Sequence, residues 1–147
     1  MNRLIAGSLV VAVSSVAIVG GTLATGSTSQ AAKASQTSTI SVGEGMPKTF
    51  TLSLTRTRVP AGKVTFRVSN HGPITHELLV IRTKLDSAAL PGPAQRVSEA
   101  GIVLDSGDVR AKNAKTLSAK LSPGHYVVIC NLPGHYAGGM RADLTVT

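Results

Sequence analysis

The sequence is short of several residue types, and each shortage excludes something. Its 147 residues include one Cys, no Trp, two Phe and two Tyr. A single Cys rules out an intramolecular disulfide framework, a Cys₄ or Cys₂His₂ zinc site and a cysteine-held iron–sulfur cluster. Asp and Glu number only 7 against 15 Lys and Arg, a formal net charge of +8. No long run of one sign occurs, and the bases are scattered along the chain. The excess admits acidic partners but does not mark a nucleic-acid binder. With 42% hydrophobic and 15% charged residues, the composition is not that of a disordered chain. The length fits one domain and a tail.

The tail is distinct in composition. Arg3 is the only charge before Lys33, and the stretch Leu4–Ala24 between them is apolar and rich in small residues. A positive start, an apolar run and small residues at Ala31, Ala32 and Ala34 make residues 1–34 a secretory signal. The apolar run is also just long enough to serve as an uncleaved anchor, although serines and glycines dilute it. No Cys follows it, which excludes a lipoprotein. Cleavage after Ala34 removes Arg3 and Lys33 and no acid, so the mature charge is about +6. Either way the domain is exported, to a periplasmic or extracellular place. A lone Cys there is exposed to oxidation unless it is buried or held by a metal.

Residues 26–38 are rich in Ser, Thr, Gln and Ala and read as a flexible linker, of which 35–38 survive cleavage. From residue 39 to 147 the hydrophobic period is mostly two, the signature of strands. Seven candidates are legible: Thr39–Val42, Lys48–Leu54, Lys63–Val68, His76–Ile81, Lys115–Leu121, Tyr126–Cys130 and Ala142–Val146. In the second, Phe50, Leu52 and Leu54 share a face. The fourth and sixth are continuously apolar, as central strands are. An antiparallel β-sandwich is expected. The stretch from Lys84 to Asn113 does not alternate and reads as an irregular excursion, with one helical turn near Ala94–Glu99. Tyr126 follows a Pro123-Gly124 turn at the head of the Cys130 strand, the position of a tyrosine corner.

One segment carries chemistry: Cys130-Asn131-Leu132-Pro133-Gly134-His135-Tyr136-Ala137-Gly138-Gly139-Met140. Its Gly and Pro residues supply turns, so thiolate, imidazole and thioether can converge from one tight loop. His76, at the mouth of a central strand, is the candidate for a second imidazole. His71 is its rival but sits in a Gly-Pro turn. His125 lies at the other end of the Cys130 strand, about four residues at ~3.3 Å each away, too far to ligate. Two His, one Cys and a weak axial Met form the ligand set of a blue-copper electron-transfer site. Soft sulfur donors favour Cu(I), and imidazole suits both oxidation states.

On these residues the segment from roughly Ile40 to Thr147 resembles the cupredoxins, the small blue copper proteins. The Cys-x₄-His-x₄-Met spacing is like that of the auracyanin, rusticyanin and sulfocyanin branches. The resemblance implies a Greek-key β-sandwich of about seven to eight strands with one copper ion, Cu(I)/Cu(II), at one end. It implies His76, Cys130 and His135 as equatorial ligands and Met140 as the axial one. One position departs. Many cupredoxins have an Asn directly after the first His ligand to tie the two ligand loops, and here that residue is Glu77. Asn131 could supply part of the tie.

The expected function is an exported one-electron carrier, monomeric, meeting redox proteins transiently. The far ring edge of His135 should be exposed, with Pro73, Ile74, Leu132, Pro133 and Gly139 forming a weakly polar docking patch around it. The mature positive charge should favour an acidic partner surface. The alternative is a copper-handling protein, though the mature chain has only Met46 and Met140 and no Met-rich tract. Catalysis is not expected. Ile129 and Asn131 flank Cys130, where a multicopper oxidase would place His residues.

Overall fold

A computed structural model describes residues 37–45, 48–93 and 95–147. The expected leader, 1–34, and the start of the linker lie outside them. Among the described residues nine strands form: β1 (Thr37–Glu44), β2 (Leu52–Leu54), β3 (Arg58–Val59), β4 (Gly62–Asn70), β5 (His76–Arg82), β6 (Ile102–Val109), β7 (Ala114–Leu121), β8 (Gly124–Ile129) and β9 (Arg141–Val146). They make a four-stranded sheet, ordered β2-β1-β4-β7, and a five-stranded sheet, ordered β3-β9-β8-β5-β6. The all-β sandwich expected from the sequence is what forms. Among the described residues no helix is long and apolar enough to cross a membrane.

The sheets follow from alternation. In β4, Val64, Phe66 and Val68 are fully buried while Lys63 and Arg67 face solvent. They pack against Leu78, Val80, Val128 and Leu144 of the facing sheet, in one core that also holds Cys130 and Met140. Burying such side chains contributes roughly 1.5–3 kcal/mol each.

Several details differ from the sequence expectation. The sheets are mixed rather than antiparallel: β1 runs parallel to β4 from Thr37↔Lys63 to Glu44↔Asn70, and β3 parallel to β9. Parallel neighbours need a crossover, and alternation within a strand does not report the direction of its partner. The last two residues of the expected linker, Thr37 and Ser38, belong to β1. The expected strand Lys48–Leu54 shortens to β2, and Phe50 lies in a turn, 41% exposed. The excursion is not irregular throughout, because β6 occupies Ile102–Val109. The helical turn near Ala94–Glu99 does not form among its described residues, 95–99.

The excursion has a physical reason. β5 and β8 are apolar on both faces, so the outer face of their sheet needs a cover. Residues from the excursion supply it. Val97 and Leu90 pack on Leu79, Ile81, Val127, Ile129 and Tyr136 in a second small core.

At the far end of β8 the tyrosine corner is present. The Tyr126 hydroxyl donates to the Ser122 carbonyl at 2.9 Å and fixes the crossover from β7 into β8.

Candidate metal centre

The ligand loop is closed by its own backbone. Cys130 N–H donates to the Met140 carbonyl (3.0 Å), Met140 N–H to the His135 carbonyl (3.1 Å) and His135 N–H to the Leu132 carbonyl (2.9 Å). Gly134 and Gly139 take φ of 80° and 113°, which bend the chain where a side chain would be strained. This folding returns Met140 beside Cys130 at the base of β9.

His76 begins β5 and reaches the same place from the neighbouring strand. His76 Nδ1 and His135 Nδ1 are 3.1 Å apart, and Cys130 Sγ lies 3.2 Å from His135 Nδ1 and 4.0 Å from His76 Nδ1. All three donors lie within 4.8 Å of one another. An ion bonded to such donors at about 2.0–2.3 Å would hold them roughly 3–4 Å apart, so the cluster fits one ion. Soft thiolate with two imidazoles is a donor set that suits copper. Met140 is fully buried in the same core as Cys130. Of the other histidines, His71 is exposed and outside the cluster. His125 is engaged elsewhere, by Thr83 and Asp143.

The centre is dry. His76, Cys130 and Met140 have no exposure and His135 retains 8%. Phe50 packs on the His135 ring with centroids 4.9 Å apart. The expected exposed ring edge is therefore largely covered. Burial, and next the neighbouring His135, lower the His76 pKa to about 4, and burial lowers that of His135 too. Both rings are neutral donors at neutral pH. Burial pushes the Cys130 thiol up to about 12 in the metal-free protein, so a cation must displace its proton.

The surrounding hydrogen bonds explain the position of Glu77. Its N–H donates to Cys130 Sγ at 3.4 Å, and its carboxylate accepts the Asn131 N–H at 3.1 Å. Glu77 thus ties the two ligand loops itself, the job left open by the missing Asn. Asn131 supplies the N–H of that tie, as expected in part, and its side chain ties the excursion as well. Its side-chain amide donates to the Val97 carbonyl and accepts the Val97 N–H, and it also donates to Glu99. Gly134 N–H reaches the Gln95 carbonyl, and the Tyr136 hydroxyl donates to the Ser87 carbonyl. The excursion is bolted to the ligand loop at three places.

Sequence reasoning missed Asn70, Phe50 and Glu44. Asn70 donates to the carbonyls of Ile74 and Val109 and accepts the Gly72 N–H, bracing the approach to His76. An Asn before a Gly-Pro turn was the available signal. Glu44 is fully buried, and neither carboxyl oxygen has a hydrogen-bond partner. Burial, and next the charge of Glu77, raise its pKa to about 8. Its place at the end of an ordinary alternating strand gave no signal.

A two-sheet β-sandwich with a buried His–Cys–His cluster and a Met on the Cys loop defines the cupredoxin class. The family model described as the Sulfocyanin (SoxE) domain matches residues 52–147, and the chain belongs to that family. No curated protein matches the chain. Solved structures share the fold at low identity. Rusticyanin from Thiobacillus ferrooxidans is 16% identical, with a TM-score of 0.62 over 76% of this chain and 78% of that one. Auracyanin B is 21% identical (TM-score 0.55, 75% of this chain and 88% of that one). Reduced auracyanin from Roseiflexus castenholzii is 22% identical (TM-score 0.52, 76% and 96%).

Proposed function

We propose that the chain is an exported type 1 copper protein that carries one electron at a time between redox partners. The observation that carries the reading is the convergence of His76 Nδ1, His135 Nδ1 and Cys130 Sγ in a dry pocket beside Met140. His76, Cys130, His135 and Met140 would hold the ion, and copper would supply a Cu(I)/Cu(II) couple there.

The chain's own residues do the rest. The closed loop and the Glu77, Asn70 and Asn131 hydrogen bonds hold the donors in place, so little rearranges when the charge changes. The burial of His76, Cys130 and Met140 excludes water from the donors, which suits a carrier. His135 is the ligand with residual surface access. Phe50 packs on its ring, and Pro73, Ile74 and Pro133, on the segments leading to His76 and His135, are exposed. Such a small apolar rim suits brief contact with a redox partner.

The test is a Cu(II) titration of the protein followed by visible absorption, EPR and voltammetry. An intense red-region thiolate band, narrow copper hyperfine splitting, a reversible couple and loss of the band in Cys130→Ser are expected. A pale, ordinary Cu(II) spectrum, or a bound ion that does not cycle, would instead indicate copper handling.

A further inference from the structure

The bases are scattered in sequence but not in space. Strand register places Thr37 beside Lys63, and Lys63 opposite Lys120, at the end of the four-stranded sheet away from the ligands. The turn from Leu121 to Gly124 carries this end into the other sheet, and Ala61 N–H donates to the Thr147 carbonyl to tie the two. Arg82, at the end of β5, and Arg58, beside Thr145, belong to the same end, and Lys84 follows Arg82. All five cations are exposed. Lys63 and Lys120 are direct cross-strand neighbours, an arrangement that is unfavourable without an anion to share. Among the described residues the one ion pair is His125–Asp143, so none of the five has a carboxylate partner.

Most of the acids lie elsewhere, and the two that do not, Asp86 and Asp143, gather about His125. Six of the seven lie on the five-stranded sheet or the excursion over it, and the seventh, Glu44, is buried. The acids in the same half as the cations are Asp86 and Asp143. The Asp143 carboxylate accepts from the Ser87 N–H and hydroxyl besides pairing with His125.

Apolar side chains accompany the cations. Leu85 is 44% exposed next to Lys84, and Ile102 (40%) and Val103 (41%) begin β6, where Ile102 pairs with Ile81. A shallow cleft of about 290 Å³ also opens at this end, lined by Arg82, Thr83, Lys84, Gly124 and His125. The chain also arrives here. The apolar segment Leu4–Ala24 is followed by a dozen residues that join the sandwich at Thr37, in register with Lys63.

We infer that this end of the sandwich is a docking surface for an anionic lipid bilayer. Exposed cations meet phosphate headgroups, and Leu85, Ile102 and Val103 enter the boundary beneath them. Seven residues of β4 at ~3.3 Å each put the ligand end roughly 23 Å away, facing outward. Aliphatic side chains set among cations match the headgroup–acyl boundary, where both kinds of group are accommodated at once. The described chain enters the sandwich at this same end, at Thr37, so an N-terminal segment kept as an anchor would be tethered here.

The test is lysine acetylation of the full-length chain, read by mass spectrometry, on two kinds of vesicle. One is pure phosphatidylcholine and the other contains phosphatidylglycerol. On anionic vesicles Lys63, Lys84 and Lys120 are expected to label several-fold more slowly, with the protection lost at high salt. Lys48 and Lys112 should label alike on both. Charge reversal by Lys63→Glu with Lys120→Glu, at exposed positions, should remove the difference between vesicles while the thiolate–copper band persists. Equal labelling of the three lysines on both vesicles overturns the inference. So does protection of Lys48 and Lys112 instead, or protection by polyglutamate but not by anionic vesicles, which would reassign the surface to an acidic protein.

Discussion

The two ends of this sandwich are made from the same strands under opposite constraints. At the ligand end, polar groups are buried and almost all are used. Asn70, Glu77 and Asn131 each hold backbone that holds a ligand. At the far end, five Lys and Arg side chains are exposed and lack carboxylate partners, and the structural work is done by Tyr126, the Asp143 contacts and a few backbone bonds. Polar side chains stabilise geometry where water is excluded and recognise surfaces where it is not. The same strand delivers both: near its start β4 sets Lys63 beside Thr37, and it ends with Asn70 bracing the His76 approach.

The largest effect that would break this contrast is at Asn131. Asn131→Leu leaves the buried Val97 N–H and carbonyl without partners and should cost roughly 2–4 kcal/mol in urea unfolding. It should also alter the copper spectrum, because the excursion no longer braces the ligand loop. A cost under ~0.5 kcal/mol would show that the excursion is held by the Tyr136 contacts alone.

Next is pH, in the metal-free protein. Glu44 keeps its proton up to about pH 8, whereas the unfolded chain releases it near 4.5. The folded state binds more protons in that window, so stability falls as pH rises through it. His76 acts on the other side. Its pKa falls from 6.5 to about 4, so its contribution is lost as pH drops across that range. Denaturant unfolding should therefore show a maximum in the weakly acidic range. Glu44→Gln should remove more than about 1.4 kcal/mol of the decline toward pH 8.5, a single pKa unit's worth. A decline that survives unchanged would assign it to another group.

Met140→Leu comes third. Sulfur favours Cu(I) relative to harder donors, but a hydrocarbon donates nothing, and losing a donor altogether destabilises the more highly charged Cu(II) more. A tenfold difference raises the reduction potential by about 59 mV while the blue band remains. An unmoved potential in voltammetry would take Met140 out of the centre. The smallest effect belongs to the far end. Tyr126→Phe deletes one hydrogen bond and should cost about 1 kcal/mol of stability. The band and the potential should not change, and a shift in either would mean that the two ends are mechanically coupled.

Much of the ligand end was legible because its parts are local. Cys130, His135 and Met140 lie within one loop whose Gly and Pro residues set its turns, so their spacing limited where they could point. His76 required a second inference, from its place at the mouth of an apolar strand. What was not legible depends on partners far along the chain. Phe50 reads as a strand residue and becomes the cover of His135, and alternation around Glu44 gives no warning that its carboxyl is buried. The excursion hides β6 because Ile102–Val109 alternates poorly: its Ile102 and Val103 are both exposed at the sheet's end.

By itself, then, the sequence determined the strands with clear alternation, the tyrosine corner and the soft-donor loop, since each is set by neighbours within a few residues. Tertiary structure decided the parallel β1–β4 pairing, the role of Glu77 as the tie between ligand loops and the clamp made by Asn131. It also gathered Arg58, Lys63, Arg82, Lys84 and Lys120, spread over more than sixty residues of chain, at one end. Strand register brings together residues that no local pattern relates, and both charge and coordination depend on distance in space.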